Sequence, residues 1–153
     1  MSVLRLMTAG LIVGCCAAAA VAQDPAEEDF LDGVEIIVEQ CMLDFEAQKP
    51  LEAVAETCTT ALSRLDSYAS HNEADTAFAS SLSHIEFHHA YIELALALRY
   101  VDVDLAASPR VCGALERAVA AAGRIDYATA LPELAPEYRV ITEEANGART
   151  ICP

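Results

Sequence analysis

Apolar side chains recur at intervals of three and four residues along most of the chain, and no long stretch alternates between apolar and polar residues. Intervals of three and four place apolar residues on one side of an α-helix, whereas a half-buried strand needs alternation. The pattern therefore predicts an all-α protein with about five helices.

The first two predicted helices, over residues 24–47 and 50–69, form a hairpin. Each opens with a proline, which suits the first turn of a helix. Cys41 and Cys58 lie on the apolar stripes of their helices, at equal distances from the turn between them. Residues at equal distances from the turn of an antiparallel hairpin face each other, so we expect a disulfide between Cys41 and Cys58.

The last two predicted helices repeat this arrangement. Ser108-Pro109 caps the fourth helix, and the fifth begins after Pro132 or Pro136. Cys112 and Cys152 lie at equal distances from Pro132, and we expect them to form the second disulfide. Of the three connectivities that four cysteines allow, only this one closes each bridge within a single hairpin.

The third predicted helix, from Asn72 or Ala74 to Asp104, is apolar on two sides. One face carries Phe78, Leu82, Ile85, His89, Ile92 and Leu96, and the opposite face carries Phe87, Tyr91, Leu94, Leu98 and Val101. We therefore expect this long helix to be central, with one disulfide-stapled antiparallel hairpin on each flank. Gly33 and Gly113 are interpreted as close-packing points.

Residues 1–22 are predicted to be a signal peptide. Arg5 supplies the positive charge, residues 6–20 form a short apolar run, and a small-x-small site ends at Ala22. The apolar run is short for a membrane span of about 20 residues. Cleavage after Ala22 would leave a single helical domain over residues 23–153.

An alternative processing site lies inside the apolar run. Ile12-Val13-Gly14-Cys15 resembles the lipobox of bacterial lipoproteins, in which the cysteine is acylated and becomes the first residue. Acylation at Cys15 would leave Cys16 with four other cysteines, whereas cleavage after Ala22 leaves an even four. The cysteine count favours a periplasmic or secreted protein, with the lipoprotein as the alternative.

Acidic residues dominate the charge of the chain. The 24 Asp and Glu residues against 9 Lys and Arg residues give a net charge of −15 at pH 7, which becomes about −16 once Arg5 is removed with the signal. Such a field repels nucleic acid and anionic membrane surfaces and attracts cations. We expect a cationic protein or peptide as a partner, no nucleic acid and no stable membrane span after cleavage; solubility in a salty environment is the simpler explanation of the charge.

A short repeat links the two hairpins, since Thr60–Leu65 recurs as Gly113–Ala118. The segment Glu52–Leu62, with its small residues and Cys-Thr-x-Ala-Leu ending, resembles the second helix of a tetratricopeptide repeat. A further set is similar to the seven-position signature of that family: Tyr91, Leu94, Ala95, Leu98, Ala107, Val111 and Ala114. The resemblance covers residues 50–120 and implies a concave protein-binding surface, although the repeat spacing of 53 residues departs from the family's spacing of about 34.

Histidines are the concentrated candidates for chemistry. His84 and His88 lie four residues apart on the third helix, so their imidazoles project from one flank, where such a pair can chelate Zn, Cu or Ni. A third ligand has to come from another helix or from His71. A histidine-mediated pH response and an ordinary helix surface are alternative interpretations. His89 lies on the apolar face and is interpreted as a core histidine with a hydrogen-bond partner.

Patterns typical of enzymes are missing from the sequence. It contains no Gly-rich phosphate loop, no Gly-x-Ser-x-Gly elbow and no Cys-x-x-Cys pair, and Glu86 lies one position too late for a His-Glu-x-x-His motif. We therefore expect a non-enzymatic protein without a cofactor, which binds a protein or peptide or serves as a structural accessory. Metal binding or metal sensing through His84 and His88 is the alternative.

Overall fold

The computed structural model describes the backbone of residues 25–72 and 79–153, and the side chains of residues 32–70 and 81–153. This part of the chain contains five helices and no strand, which confirms the predicted all-α class. The helices are α1 (Pro25–Glu46), α2 (Leu51–Asn72), α3 (Ala79–Val101), α4 (Pro109–Ala122) and α5 (Ala135–Arg149). The predicted signal peptide, its cleavage site after Ala22 and the alternative site at Cys15 lie outside the described residues.

A capping serine and two prolines mark the starts of the last two helices. Ser108 is the N-cap of α4, and its hydroxyl oxygen accepts a hydrogen bond from the Val111 N–H at 3.3 Å. Pro109 occupies the first turn, where its missing N–H costs no helical hydrogen bond. Helix α5 begins at Ala135, which lies between the two predicted starts, and Pro136 is in its first turn.

Helix α3 ends at Val101, before the predicted end at Asp104. Beyond Val101 the backbone tightens into turns, in which the N–H groups of Val103 and Asp104 both donate to the Tyr100 carbonyl, at 3.1 and 2.8 Å. The Asp104 carboxylate then accepts a hydrogen bond from Arg110 of α4 at 2.8 Å. This contact links the turn after α3 to the first turn of α4.

Helix α3 is central, because it packs against each of the other four helices. Helices α3 and α4 are antiparallel, as shown by two bidentate ion pairs in which the order of the partners is reversed. Arg117 pairs with Glu93, and Arg124 pairs with Glu86. The predicted architecture, two stapled hairpins flanking one central helix, is confirmed.

Both predicted disulfides are present, Cys41–Cys58 in the α1–α2 hairpin and Cys112–Cys152 between α4 and the end of the α5 hairpin. They join residues separated by 17 and 40 positions in the sequence. Loop-closure entropy gives stabilisations of about 3 and about 4 kcal/mol for loops of these lengths. Each bond holds the two helices of its hairpin together where they cover α3.

The two predicted faces of α3 differ in burial. Ile85, Ile92 and Leu96 are fully buried, as expected. The prediction is wrong for much of the opposite face, because Tyr91, Leu98 and Val101 are 38%, 59% and 40% exposed. The hairpins pack on the sides of α3. The line of Tyr91, Leu98 and Val101 along the helix therefore stays in contact with solvent.

None of the helices in the described parts of the chain has the length and apolar character that crossing a membrane requires.

The two glycines predicted to be close-packing points behave differently. A Cβ atom on Gly33 would lie 2.9 Å from the Tyr68 hydroxyl oxygen and 3.3 Å from the ring carbon that carries it. Gly33 therefore does mark a close approach between α1 and α2. The prediction is wrong for Gly113, where a Cβ would meet only the end of the Arg117 side chain, at 3.4 Å.

We expect Gly33→Ala and Gly147→Ala to change stability in opposite directions. A Cβ on Gly147, in α5, meets no atom within 4 Å, so alanine should stabilise the protein by about 0.5–1 kcal/mol through its higher helix propensity. Alanine at Gly33 must displace the Tyr68 ring, which should cost about 1–3 kcal/mol. Urea unfolding of both variants measures the difference, and equal stabilisation of both would contradict the close contact.

Candidate metal centre

Three side chains from two helices meet at one point on α3. The Nε2 atoms of His84 and His88 lie 3.0 Å apart. The Oε1 atom of Glu35, on α1, lies 3.0 Å from the first and 3.2 Å from the second. The three atoms thus form a nearly equilateral triangle, which we call the Glu35 triad.

Helix geometry and core packing place these residues. His84 and His88 are one turn apart on α3 and project from the same flank. Glu35 follows Val34, which is fully buried, so it lies at the edge of the core-facing side of α1. The two histidine side chains are 8% exposed and the Glu35 side chain is 60% exposed. The triad is therefore a buried imidazole pair closed on its solvent side by a carboxylate.

Hydrogen bonds alone cannot make all three contacts of the triad favourable. An ionised carboxylate only accepts, and a neutral imidazole carries a single N–H. If both Nε2 atoms are protonated, both donate to Glu35 but their hydrogens repel each other. If only one is protonated, the other directs its lone pair at the carboxylate. A cation bonded to all three lone pairs removes the conflict.

The local electrostatics favour the protonation states that a metal needs. Hydrogen bonding from His88 is the main cause that lowers the Glu35 pKa to about 2, with His84 adding to it and burial opposing it. Burial is the main cause that lowers the His84 pKa below its ordinary value of 6.5, followed by the charge of His88, while Glu35 acts in the opposite direction. At neutral pH the triad therefore offers a carboxylate and a neutral His84, which are the ligand forms that metals bind.

Tyr138 on α5 orients His84 by contacting Nδ1, the ring nitrogen that is not part of the triad. Its hydroxyl lies 3.1 Å from His84 Nδ1, and its side chain is fully buried. Burial raises the Tyr138 pKa, so the phenol stays protonated. With Nε2 directed to the triad, Nδ1–H donates to this hydroxyl, the type of outer contact that fixes the tautomer of a metal-binding histidine. His88 differs, because its buried Nδ1 has no hydrogen-bond partner in the described part of the chain.

An aromatic ring closes the side of the site next to α5. The Phe87 ring lies 5.1 Å from the His88 ring and 5.2 Å from the Tyr138 ring, measured between centroids. Apolar surroundings limit water around the two imidazoles and strengthen their interaction with a charge. The site thus combines residues of α1, α3 and α5, and so of both hairpins.

The spacing of the triad suits a tetrahedral metal. Bonds of about 2.0–2.1 Å at the tetrahedral angle place two ligand atoms about 3.3–3.4 Å apart. The observed separations of 3.0, 3.0 and 3.2 Å need only a few tenths of an ångström of expansion. Two histidines and one carboxylate leave a fourth position for water or another ligand.

The predicted histidines have three different outcomes. His84 and His88 meet as predicted, and their burial shows that the interpretation as ordinary helix surface is wrong. His89 is mostly buried and pairs with Asp66 of α2 at 3.3 Å, which agrees with a core histidine. The side chain of His71, a predicted source of the third ligand, lies outside the described residues.

The sequence did not identify Glu35 or Tyr138 as parts of the site. Glu35 supplies the third atom of the triad from another helix, one of the two predicted sources. Its one sequence signal is an acidic residue beside the buried stripe of α1, a position that many surface acids share. Tyr138 is 54 residues from His84, and no spacing rule connects them.

Searches of protein-family models, of curated proteins and of solved structures found no match to this chain. The tetratricopeptide resemblance therefore stays a prediction. Function has to be inferred from the site itself.

The two pKa shifts predict how the metal-free protein responds to acid. Unfolded His84 takes up a proton near its ordinary pKa of 6.5, whereas folded His84 resists protonation. Its contribution to stability is therefore present above about pH 6.5 and lost as the pH falls below it. The contribution of Glu35 is present above about pH 4.5 and lost as the pH falls toward 2.

We expect His84→Gln to flatten the decline in unfolding free energy between about pH 7 and pH 5. Glu35→Gln should flatten the decline below about pH 4.5 by less than about 1 kcal/mol, since solvent screens its exposed carboxylate. The control is Glu39→Gln, an exposed acid on the same helix. Urea unfolding with a chelator present measures all four proteins, and a His84→Gln curve parallel to the wild-type curve would refute the assignment.

Proposed function

We propose that this chain is a helical binding protein that holds a divalent transition metal with Glu35, His84 and His88. The single observation that carries the proposal is the triangle of ligand atoms, whose members all lie within 4.8 Å of one another. The proton conflict within the triangle supports it, because a cation satisfies three contacts that hydrogen bonds cannot. A binding role is favoured over catalysis, since the sequence lacks the usual catalytic patterns.

The ligand set favours zinc or copper. Imidazole nitrogens suit Zn, Cu and Ni, whereas Mg and Ca prefer sites made of oxygen ligands alone. Two histidines with one carboxylate and an open position are typical of tetrahedral Zn. Cu²⁺ binds most sites of this kind more tightly than Zn²⁺, so the metal held in a cell depends also on supply.

We expect the chelator-treated protein to bind one Zn²⁺ per chain, and each of Glu35→Gln, His84→Ala and His88→Ala to weaken binding by more than about 100-fold. Tyr138→Phe keeps the ring but removes the hydroxyl that orients His84, and should weaken binding by about 10–100-fold. Isothermal titration calorimetry without an affinity tag measures these affinities. Absorption of the Co²⁺-loaded protein reports whether the coordination is tetrahedral.

The matched control is Glu39→Gln, which removes an equal charge from the exposed surface of the same helix. It should leave the affinity within about twofold of the wild-type value, because its contribution is through screened, long-range attraction. Equal losses in Glu35→Gln and Glu39→Gln would show general attraction of cations by an acidic protein. That result, or failure of the wild-type protein to bind Zn²⁺ or Cu²⁺ stoichiometrically, would overturn the proposal.

A second proposed role is binding of a cationic protein or peptide. The net charge of −15 and the exposed apolar line on α3 favour it. The geometry of the triad nevertheless ranks metal binding first, above the partner-binding role that the sequence favours. The two roles are compatible, since the triad lies at one end of that line.

We propose that both roles are carried out after export, in the periplasm or outside the cell. Disulfides persist in oxidising compartments, and the four bonded cysteines leave none of the described cysteines free. The sequence of residues 1–22 supports the same conclusion independently.

Expression of the full chain in a Gram-negative host tests the processing site. We expect intact-mass spectrometry of the periplasmic fraction to give a mature protein that begins at Gln23, with two disulfides. A lipid-modified chain that begins at Cys15, recovered with membranes, would support the lipoprotein alternative. An unprocessed chain in the cytosol would contradict export.

A further inference from the structure

An apolar line on α3 begins next to the Glu35 triad and is open to solvent. Tyr91 and Leu98 continue the line of His84, because every seventh residue returns to nearly the same side of a helix. Val101 lies beside them, and each of Tyr91, Leu98 and Val101 is at least 38% exposed. We call these three residues the α3 strip.

The α3 strip is joined to the metal centre by aromatic packing. The Phe87 and Tyr91 rings are stacked, with centroids 6.2 Å apart and planes 9° from parallel. Phe87 in turn contacts the His88 and Tyr138 rings. These contacts restrict Tyr91, so the start of the strip is a preformed apolar surface.

The two helices α1 and α5, which both pack on α3, bring carboxylates near the start of the strip. Glu46 on α1 and Glu144 on α5 both act on the Tyr91 hydroxyl, and after burial they are the causes that raise its pKa. Glu39 and Glu137 lie one heptad before them on the same helices, so each helix presents two acids in line. All four acids are exposed.

Arg99, the cation that follows Leu98 in the sequence, is already paired. It donates a hydrogen bond to the Lys49 carbonyl at 3.0 Å and lies 3.6 Å from the Asp102 carboxylate. Its charge is directed toward the α1–α2 turn. We call Glu39 with Glu46, and Glu137 with Glu144, the two acid rows. Because Arg99 is paired elsewhere, it does not neutralise the negative field of these rows along the strip.

We propose that the α3 strip and its two acid rows bind a cationic amphipathic helix of a partner protein, whose apolar face lies on Tyr91 and Leu98. This inference rests on the cationic partner proposed above and adds its position and its form. Two rows of negative charge flanking a central apolar row are complementary to a helix with one apolar stripe bordered by Lys or Arg.

The dimensions of the strip also fit a helix. From Tyr91 to Val101 it extends about 15 Å along the axis of α3, which is close to three helical turns. Helices that bind in grooves use apolar anchors spaced over two to three turns. A second copy of this chain is a poor occupant, because two surfaces of the same negative charge repel each other.

A synthetic probe can test the proposal without knowledge of the natural partner. The probe is a helical peptide of about 18 Leu and Lys residues with one Trp, arranged so that Leu forms a single stripe. The chain itself has no Trp, so the fluorescence reports the peptide alone. A peptide of the same composition in scrambled order tests the need for an apolar stripe, and a Leu and Glu peptide tests the need for positive charge.

With a chelator present, we expect the Leu and Lys peptide to bind at least tenfold more tightly than the scrambled peptide, and the Leu and Glu peptide not to bind. The double variant Tyr91→Asp with Leu98→Asp should weaken binding at least tenfold. Ile36→Asp with Leu43→Asp is the matched control, because Ile36 and Leu43 are 70% and 50% exposed and lie on the side of α1 away from buried Val34. Circular dichroism verifies that the variants remain helical.

The acid rows are tested separately by charge removal. Glu46→Gln with Glu144→Gln should weaken binding more than Glu56→Gln with Glu143→Gln, a pair of exposed acids off the strip with the same total charge. Equal losses in the strip variants and in their controls would overturn the docking surface but leave a cationic partner in place. Failure of every cationic peptide to bind at low salt would overturn both.

Discussion

Helix α3 packs against all four other helices, and each of the two hairpins that cover it is closed by its own disulfide. A central helix of this kind buries apolar residues toward both hairpins, so its position is fixed only when both are in place. The Glu35 triad depends on this arrangement. Glu35 comes from one hairpin and Tyr138 from the other, and both contact His84, through different ring nitrogens, because both hairpins pack on the same segment of α3.

Most of the polar groups that α3 buries form ion pairs or hydrogen bonds with residues of the segments packed against it. Glu93 is held bidentately by Arg117, and the Ser83 hydroxyl accepts a hydrogen bond from the Asp126 N–H at 3.1 Å. Such pairing is the rule for buried polar groups, because an unmatched one costs about 1–3 kcal/mol. The triad departs from this rule, since its three close contacts cannot all be hydrogen bonds at once. Polar contacts that cannot all be satisfied, within a core whose other polar groups have partners, are found more at functional sites than at structural ones.

The structure shows where some of the acidic residues lie. Spread over the whole surface, a net charge of −15 predicts little beyond solubility and attraction of cations. In the folded protein, Glu35 closes the imidazole pair, while Glu46 of α1 and Glu144 of α5 are near enough to Tyr91 for their charges to raise its pKa. This distribution of charge is the basis of both proposals, a small cation at one end of the exposed line of α3 and a cationic helix along the rest.

Sequence alone determined the helical class, the central position of α3 and both disulfides, because these follow from local periodicity and from distances along the chain. It also identified His84 and His88, since two residues one turn apart share a face in any helix. Glu35, Tyr138 and the exposed strip required the tertiary structure. Their roles depend on how two hairpins are rotated against α3, and that rotation is set by side-chain packing between helices, which periodicity within one helix does not encode.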